Sequence, residues 1–142
     1  MSKYDLEMFI IAQDSCWDTV ISEMKEGEKE TDWIWYVFPQ IEGLSSSETA
    51  LKYAIRTLDE ARFYIKEPIL RERMIEILTI INDLPNNDLD LLMGYEVDCL
   101  KFASSMTLFE VAEPNITLFS DMFDKFDMDR DLFTLEKLNI DY

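Results

Sequence analysis

Pro68-Ile69-Leu70-Arg71-Glu72-Arg73-Met74-Ile75-Glu76-Ile77-Leu78-Thr79-Ile80-Ile81-Asn82 carries the strongest apolar stripe in the chain. Ile69, Leu70, Met74, Ile77, Leu78 and Ile81 recur at helical steps, which predicts the central core helix. Pro68 suits its first turn, where the missing N–H would be unpaired anyway. The helix is expected to end near Asn82, before Leu84-Pro85-Asn86-Asn87. Upstream, Thr57 and Glu60 have capping-box spacing and open a helix through Ala61, Tyr64 and Ile65. Leu6, Phe9 and Ile10, then Trp17, Val20, Ile21 and Met24, give two short amphipathic helices, with Asp14 or Ser15 available as a cap and Gly27 closing the pair. Downstream, helical patterns run from Val97 to Phe109, Asn115 to Phe126 and Arg130 to Leu138. With only 3 glycines, 4 prolines and no repeat, the expectation is all-α: a compact single-domain bundle of about seven or eight helices over residues 1–142.

Composition supports one domain, since 142 residues at 48% hydrophobic supply a single core. Against 13 Lys and Arg stand 30 Asp and Glu, a net charge of -17 that disfavours nucleic acid and anionic membranes and permits docking on a basic protein partner. Histidine is absent, which removes Ser-His-Asp and Cys-His catalysis and histidine-ligated metals. Asp127, Asp129 and Asp131 alternate like the start of a calcium loop, but Leu132 stands where glycine is required and Leu138 where a bidentate glutamate should be. No metal and no cofactor are expected. Cys16 and Cys99 read as reduced thiols. The acidic N-terminal stretch and the lack of any run of ~18 apolar residues read as cytoplasmic. Asn115-Ile116-Thr117 matches a glycosylation acceptor and reads instead as a helix start.

Two segments are chemically unusual. In Trp33-Ile34-Trp35-Tyr36-Val37-Phe38-Pro39-Gln40 four rings fall within six residues, and they cannot all face one way. A core-crossing segment and the wall of a ligand pocket both fit; as a wall it would suit a nucleobase or nicotinamide ring. In the second segment Asp98, Lys101 and Ser104 or Ser105 share one helical face. That stripe of acid, amine and hydroxyl either holds a ribose or phosphate or is an ordinary ion pair with caps. Ser104 is a poor nucleophile without a histidine to activate it.

Asp32 to Gln40, Gly43-Leu44 with Ser47, Tyr53-Ala54-Ile55 and Leu58-Asp59-Glu60-Ala61-Arg62-Phe63-Tyr64 together closely resemble the domain-of-unknown-function 1810 family. Glu67-Pro68-Ile69-Leu70 with Arg73, and Asp98 with Lys101 and Ser104 to Phe109, look like its later motifs in the same order. The resemblance covers nearly the whole chain and implies a small all-helical domain. A fainter, fold-level likeness in helical content and motif layout links it to the NADAR family, whose members act on ADP-ribose-type glycosides; this raises the prospect of a nucleotide-type ligand. The family usually has histidine where this chain has Asp32 and Glu67, so a reaction relying on those histidines would here use carboxylates or be lost.

The functional expectation is a pocket for ADP-ribose or a related nucleotide. Trp33, Trp35, Tyr36 and Phe38 would wall it, and Gln40, Ser47, Tyr53, Lys101, Ser104 and Ser105 would supply polar contacts. Hydrolysis of an N-glycosidic bond would need a carboxylate from Asp98, Asp32 or Glu60. Lys101, Arg56 or Arg62 would offset the overall negative charge locally. The alternatives are sequestration of a nucleotide without turnover, and an acidic module that binds or inhibits a basic protein partner.

Overall fold

Each apolar repeat above becomes a helix in the computed structural model, which describes residues 4–139. The described residues form ten helices: α1 (Glu7–Asp14), α2 (Trp17–Glu26), α3 (Ile34–Val37), α4 (Glu48–Tyr53), α5 (Leu58–Lys66), α6 (Pro68–Asp83), α7 (Leu89–Met93), α8 (Glu96–Ala112), α9 (Leu118–Phe126) and α10 (Leu132–Lys137). The all-α expectation holds, and the count exceeds the expected seven or eight. The extra helices α3, α4 and α7 span 4, 6 and 5 residues, too short to display a full helical period. None of the described helices is long and apolar enough to cross a membrane.

Local chemistry sets the helix starts. Glu67 accepts from Leu70 N–H at 2.9 Å while Pro68 occupies the first turn of α6. Thr57 accepts from Glu60 N–H at 3.1 Å, and the Glu60 carboxylate reaches back to Arg56 N–H at 2.8 Å, one residue beyond the usual capping-box partner. The cap expected from Asp14 or Ser15 is not made: Cys16 precedes α2 without a side-chain cap. Asp14 instead pairs with Arg73, and the Ser15 hydroxyl donates to Ala12 O at 2.6 Å. Asn115 lies in a turn, and α9 begins at Leu118.

The core has two long axes. On α6, Leu70, Met74, Ile77, Leu78 and Ile81 are buried and Ile69 is exposed. On α8 the buried residues Phe102, Ser104, Ser105, Met106, Thr107, Leu108 and Phe109 follow one another almost without interruption. A helix buried on nearly all sides is enclosed, and α3, α5, α7, α9 and α10 all pack on α8. The expected central helix α6 therefore shares the centre with α8, whose burial from Phe102 to Phe109 leaves no polar face there to mark the period.

Two buried polar side chains knit the elements. Gln13 donates from Nε2 to Tyr36 O at 2.7 Å and to the Tyr64 hydroxyl at 3.1 Å, and its Oε1 accepts from Arg73 at 3.3 Å, joining α1 to α3, α5 and α6. Burial pushes the Tyr64 phenol far above its usual range, so it stays neutral. Glu23, on α2, accepts from Glu30 N–H at 2.8 Å, Thr31 N–H at 3.1 Å, the Thr31 hydroxyl at 2.6 Å and Trp33 Nε1–H at 2.9 Å. Four donors on one carboxylate fix the path of residues 30–33 into α3.

Burial works to raise the Glu23 pKa, but the Thr31 hydroxyl, the Glu30 and Thr31 amides and the Trp33 indole together hold it below the ordinary value. The folded state thus binds the Glu23 proton more weakly than the unfolded chain does. Its stabilising contribution is complete above the unfolded value of 4.5 and is lost as pH falls through the lowered folded value. Glu23→Gln is expected to cost about 2 kcal/mol at neutral pH. It should also flatten the acid side of the stability curve, measured by urea unfolding at several pH values.

Candidate functional site

Asp98 lies one turn before Lys101 and two turns before Ser104 on α8, so the helix itself aligns them. Asp98 is 5% exposed and is bracketed by cations, with Lys29 Nζ 2.9 Å from Oδ2 and Lys101 Nζ 3.3 Å from Oδ1. Each lysine also faces a tryptophan ring: Lys29 stands 5.4 Å from the centroid of Trp33, and Lys101 3.8 Å from that of Trp35. The Trp35 face and the Asp98 carboxylate together hold the Lys101 ammonium in one place.

Beside Lys101 opens a cleft of about 330 Å³. Gln40, Leu44 and Ser45 line one side, Val97, Leu100, Lys101 and Ser104 the other, and Asp131 closes the end. The 40–45 loop is held by a parallel bridge between Ile41 and Ile55, in which Ile55 N–H donates to Gln40 O and Glu42 N–H to Ile55 O, each at 2.8 Å. Gly43 in that loop has φ +106, and a Cβ there would come 3.1 Å from the Phe133 ring on α10. The end wall hangs on α8: Asp131 N–H donates to the Thr107 hydroxyl at 2.9 Å, and that hydroxyl donates to Ala103 O at 2.8 Å. Arg130 adds a fork onto Glu110, at 3.0 and 2.6 Å.

Ser104 is 4% exposed, and its hydroxyl makes no hydrogen bond among the described residues. It lines the cleft one turn from Lys101. Lining the cleft, that hydroxyl is available to a water or a ligand there. Asp131 is not free, because its Oδ2 accepts from Thr134 N–H at 3.1 Å and from the Thr134 hydroxyl at 2.5 Å.

Of the residues singled out in the sequence, Gln40, Lys101 and Ser104 meet in the cleft. Trp35 and Tyr53 lie alongside, in an adjoining depression of about 10 Å³ that has room for about one water. The aromatic segment divides. Trp33 and Phe38 are buried core, with Phe38 edge-on to Phe102 at 4.9 Å, and Trp35 is half-buried against Lys101. The Tyr36 hydroxyl lies 3.3 Å from the Cys16 sulfur, and burial with that thiol contact keeps its proton on. Ser47 caps α4, accepting from Ala50 N–H at 3.2 Å. Ser105 points away from the cleft residues into protein, its Oγ buried without a partner. Asp32 is exposed, and Glu60 is buried on the Arg56 amide. None of the three candidate carboxylates lines the cleft. Glu67, standing where the resembled family has histidine, is the cap of α6.

Sequence reading missed Lys29, which no local pattern marks as the partner of a carboxylate 69 residues away. It also missed Leu44, Ser45, Val97 and Leu100, whose importance comes only from sharing a cleft. Burial, with the acceptor Asp90 and neighbouring acids, pushes the Cys99 thiol up to about 12, which disfavours its thiolate form. Both cysteines are free thiols. No group of three or more His, Cys, Asp or Glu among the described residues could hold a metal ion.

The family model described as "Protein of unknown function (DUF1810)" matches residues 3–138. The chain belongs to the DUF1810 family. A solved structure with the same fold is the conserved hypothetical protein Rv1873 from Mycobacterium tuberculosis; it is 33% identical over 99% of this chain and 100% of that one, with a TM-score of 0.93. No curated protein matches this DUF1810 member.

Substitutions on the two sides of Asp98 should differ sharply. Lys29→Ala leaves a buried carboxylate with its better partner gone and is expected to cost about 3 kcal/mol. Lys101→Ala, at a half-exposed position, should cost no more than about 1 kcal/mol. Ser105→Ala removes an unsatisfied buried hydroxyl and is expected to be neutral or stabilising by up to about 1 kcal/mol. Denaturant unfolding of the three variants measures all of this, and equal losses at Lys29 and Lys101 would contradict the asymmetry.

Proposed function

We propose that the cleft beside Lys101 binds a nucleotide-type small molecule and holds it without turnover. An anionic oxygen of the ligand sits on the Lys101 ammonium, ribose hydroxyls exchange hydrogen bonds with Ser104 and Gln40, and the flat apolar part lies across Leu44, Val97 and Leu100. The observation that carries the reading is the pairing of a fixed cation with a hydroxyl that has no protein partner, side by side in one cleft of ligand size. The fold-level likeness to the NADAR family supports the nucleotide class and makes ADP-ribose one candidate. Absence of turnover is supported by the carboxylates: Asp98 is held between two lysines, Glu60 is held by a backbone amide, Asp32 lies outside the cleft, and Asp131 at its end has Oδ2 engaged by Thr134.

Thermal shift against NAD, ADP-ribose and cyclic nucleotides tests the proposal. A ligand present at ~100 times its Kd adds about 2.7 kcal/mol and raises the melting temperature visibly. Lys101→Ala and Trp35→Ala should each weaken the bound ligand by about tenfold or more while the unfolding transition stays cooperative. Mass analysis should return the ligand unchanged; a cleaved product would make the protein a hydrolase. Silence across the panel would remove the pocket assignment.

A second reading, an acidic module docking on a basic protein, is favoured by the net charge of -17. Such binding should weaken steeply as salt rises.

A further inference from the structure

The cleft is poor in positive charge. Lys101 is the one cation that lines it among the described residues, and it shares Asp98 with Lys29, so the three groups together carry a single net positive charge. At the end of the cleft stands the acidic residue Asp131, its Oδ2 engaged by Thr134. Lys137 is not part of the lining; its Nζ lies by Gly43, 3.6 Å from where a Cβ there would stand. Everything else lining the space is neutral: Gln40, Ser45 and Ser104 offer hydrogen bonds, and Leu44, Val97 and Leu100 offer apolar surface. The chain around it carries a net charge of -17, which repels each further negative charge on a ligand.

We propose that this site, read as a nucleotide pocket, selects a ligand bearing one negative charge on an otherwise neutral body. The matching chemistry is a nucleoside-type monoanion such as a cyclic phosphodiester. Free phosphomonoesters and pyrophosphates, ADP-ribose among them, bring a second charge that meets Asp131 or the surrounding acidic surface with no cation inside the cleft to receive it. The inference rests on the pocket reading and narrows it.

The test compares adenosine, 3′,5′-cyclic AMP and AMP by isothermal calorimetry on the intact chain, with ADP-ribose alongside. Cyclic AMP is expected to bind about tenfold more tightly than either adenosine or AMP near pH 7.5. Lys101→Met keeps the side-chain stem on Trp35 and removes the charge, and it should bring cyclic AMP down to the affinity of adenosine. AMP also differs in shape from the cyclic ester, so a second arm isolates charge. Its second proton leaves near pH ~6, and the chain has 0 histidines to titrate in that range. AMP affinity should therefore rise by about tenfold between about pH 7.5 and about pH 5.5 as the monoanion forms, while cyclic AMP stays flat. Tighter binding of AMP or ADP-ribose than of cyclic AMP, or equal binding of adenosine and cyclic AMP, overturns the single-charge inference and leaves the pocket standing. No binding by any of the four at millimolar concentration removes the pocket reading, and the inference with it.

Discussion

The buried ion pair between Lys29 and Asp98 is the constraint on which the rest of this structure depends. It joins the segment after α2 to the first turn of α8, 69 residues further along, with both side chains nearly withdrawn from water. Burying two charges costs several kcal/mol per ion unless the geometry compensates, so the pair contributes more to specificity than to net stability. It forces one register of the 29–33 segment on α8, and Glu23 enforces the same register from the other side through its four donors. With that segment fixed, Trp33 enters the core, Trp35 turns outward, and the Lys101 ammonium comes to rest between Trp35 and Asp98. The cleft follows from the pair at one remove.

Much of the fold was legible because helical period and capping chemistry are local. Thr57 with Glu60, and Pro68 after Glu67, announce α5 and α6 by rules that involve only neighbours. The elements that escaped are the ones without a period of their own. Ile34–Val37 is a single helical turn whose burial is imposed by α1 and α8, and Leu89–Met93 is little longer. The weight of α8 was understated for the opposite reason: a helix enclosed on nearly every side shows no alternation of polar and apolar faces.

The candidate site was legible in part. Lys101 and Ser104 could be paired from the spacing on α8, and Gln40 could be noticed after the aromatic run. What could not be read is which aromatic ring faces which way. Trp33 and Trp35 are two residues apart and differ completely in surroundings, because Glu23 captures the indole of the first and Lys101 covers the face of the second. Nor could composition show that the acidic residues with catalytic chemistry are already occupied. Asp98 and Glu60 are consumed by Lys29, Lys101 and the Arg56 amide, partners that only the folded chain brings near.

The suspension of Asp131 from Thr107 bears on how a guest would be received. Two of the three walls of the opening refer back to one helix: α8 supplies Val97, Leu100, Lys101 and Ser104 directly, and through the Thr107 hydroxyl and the Arg130–Glu110 fork it also sets where the end wall stands. The length of the opening is thus ruled off along a single rigid rod, and its width is set where the bridged 40–45 loop faces that rod. A guest would find the mouth already cut to size, would lose little of its binding energy in shaping it, and would be judged chiefly by whether it fits.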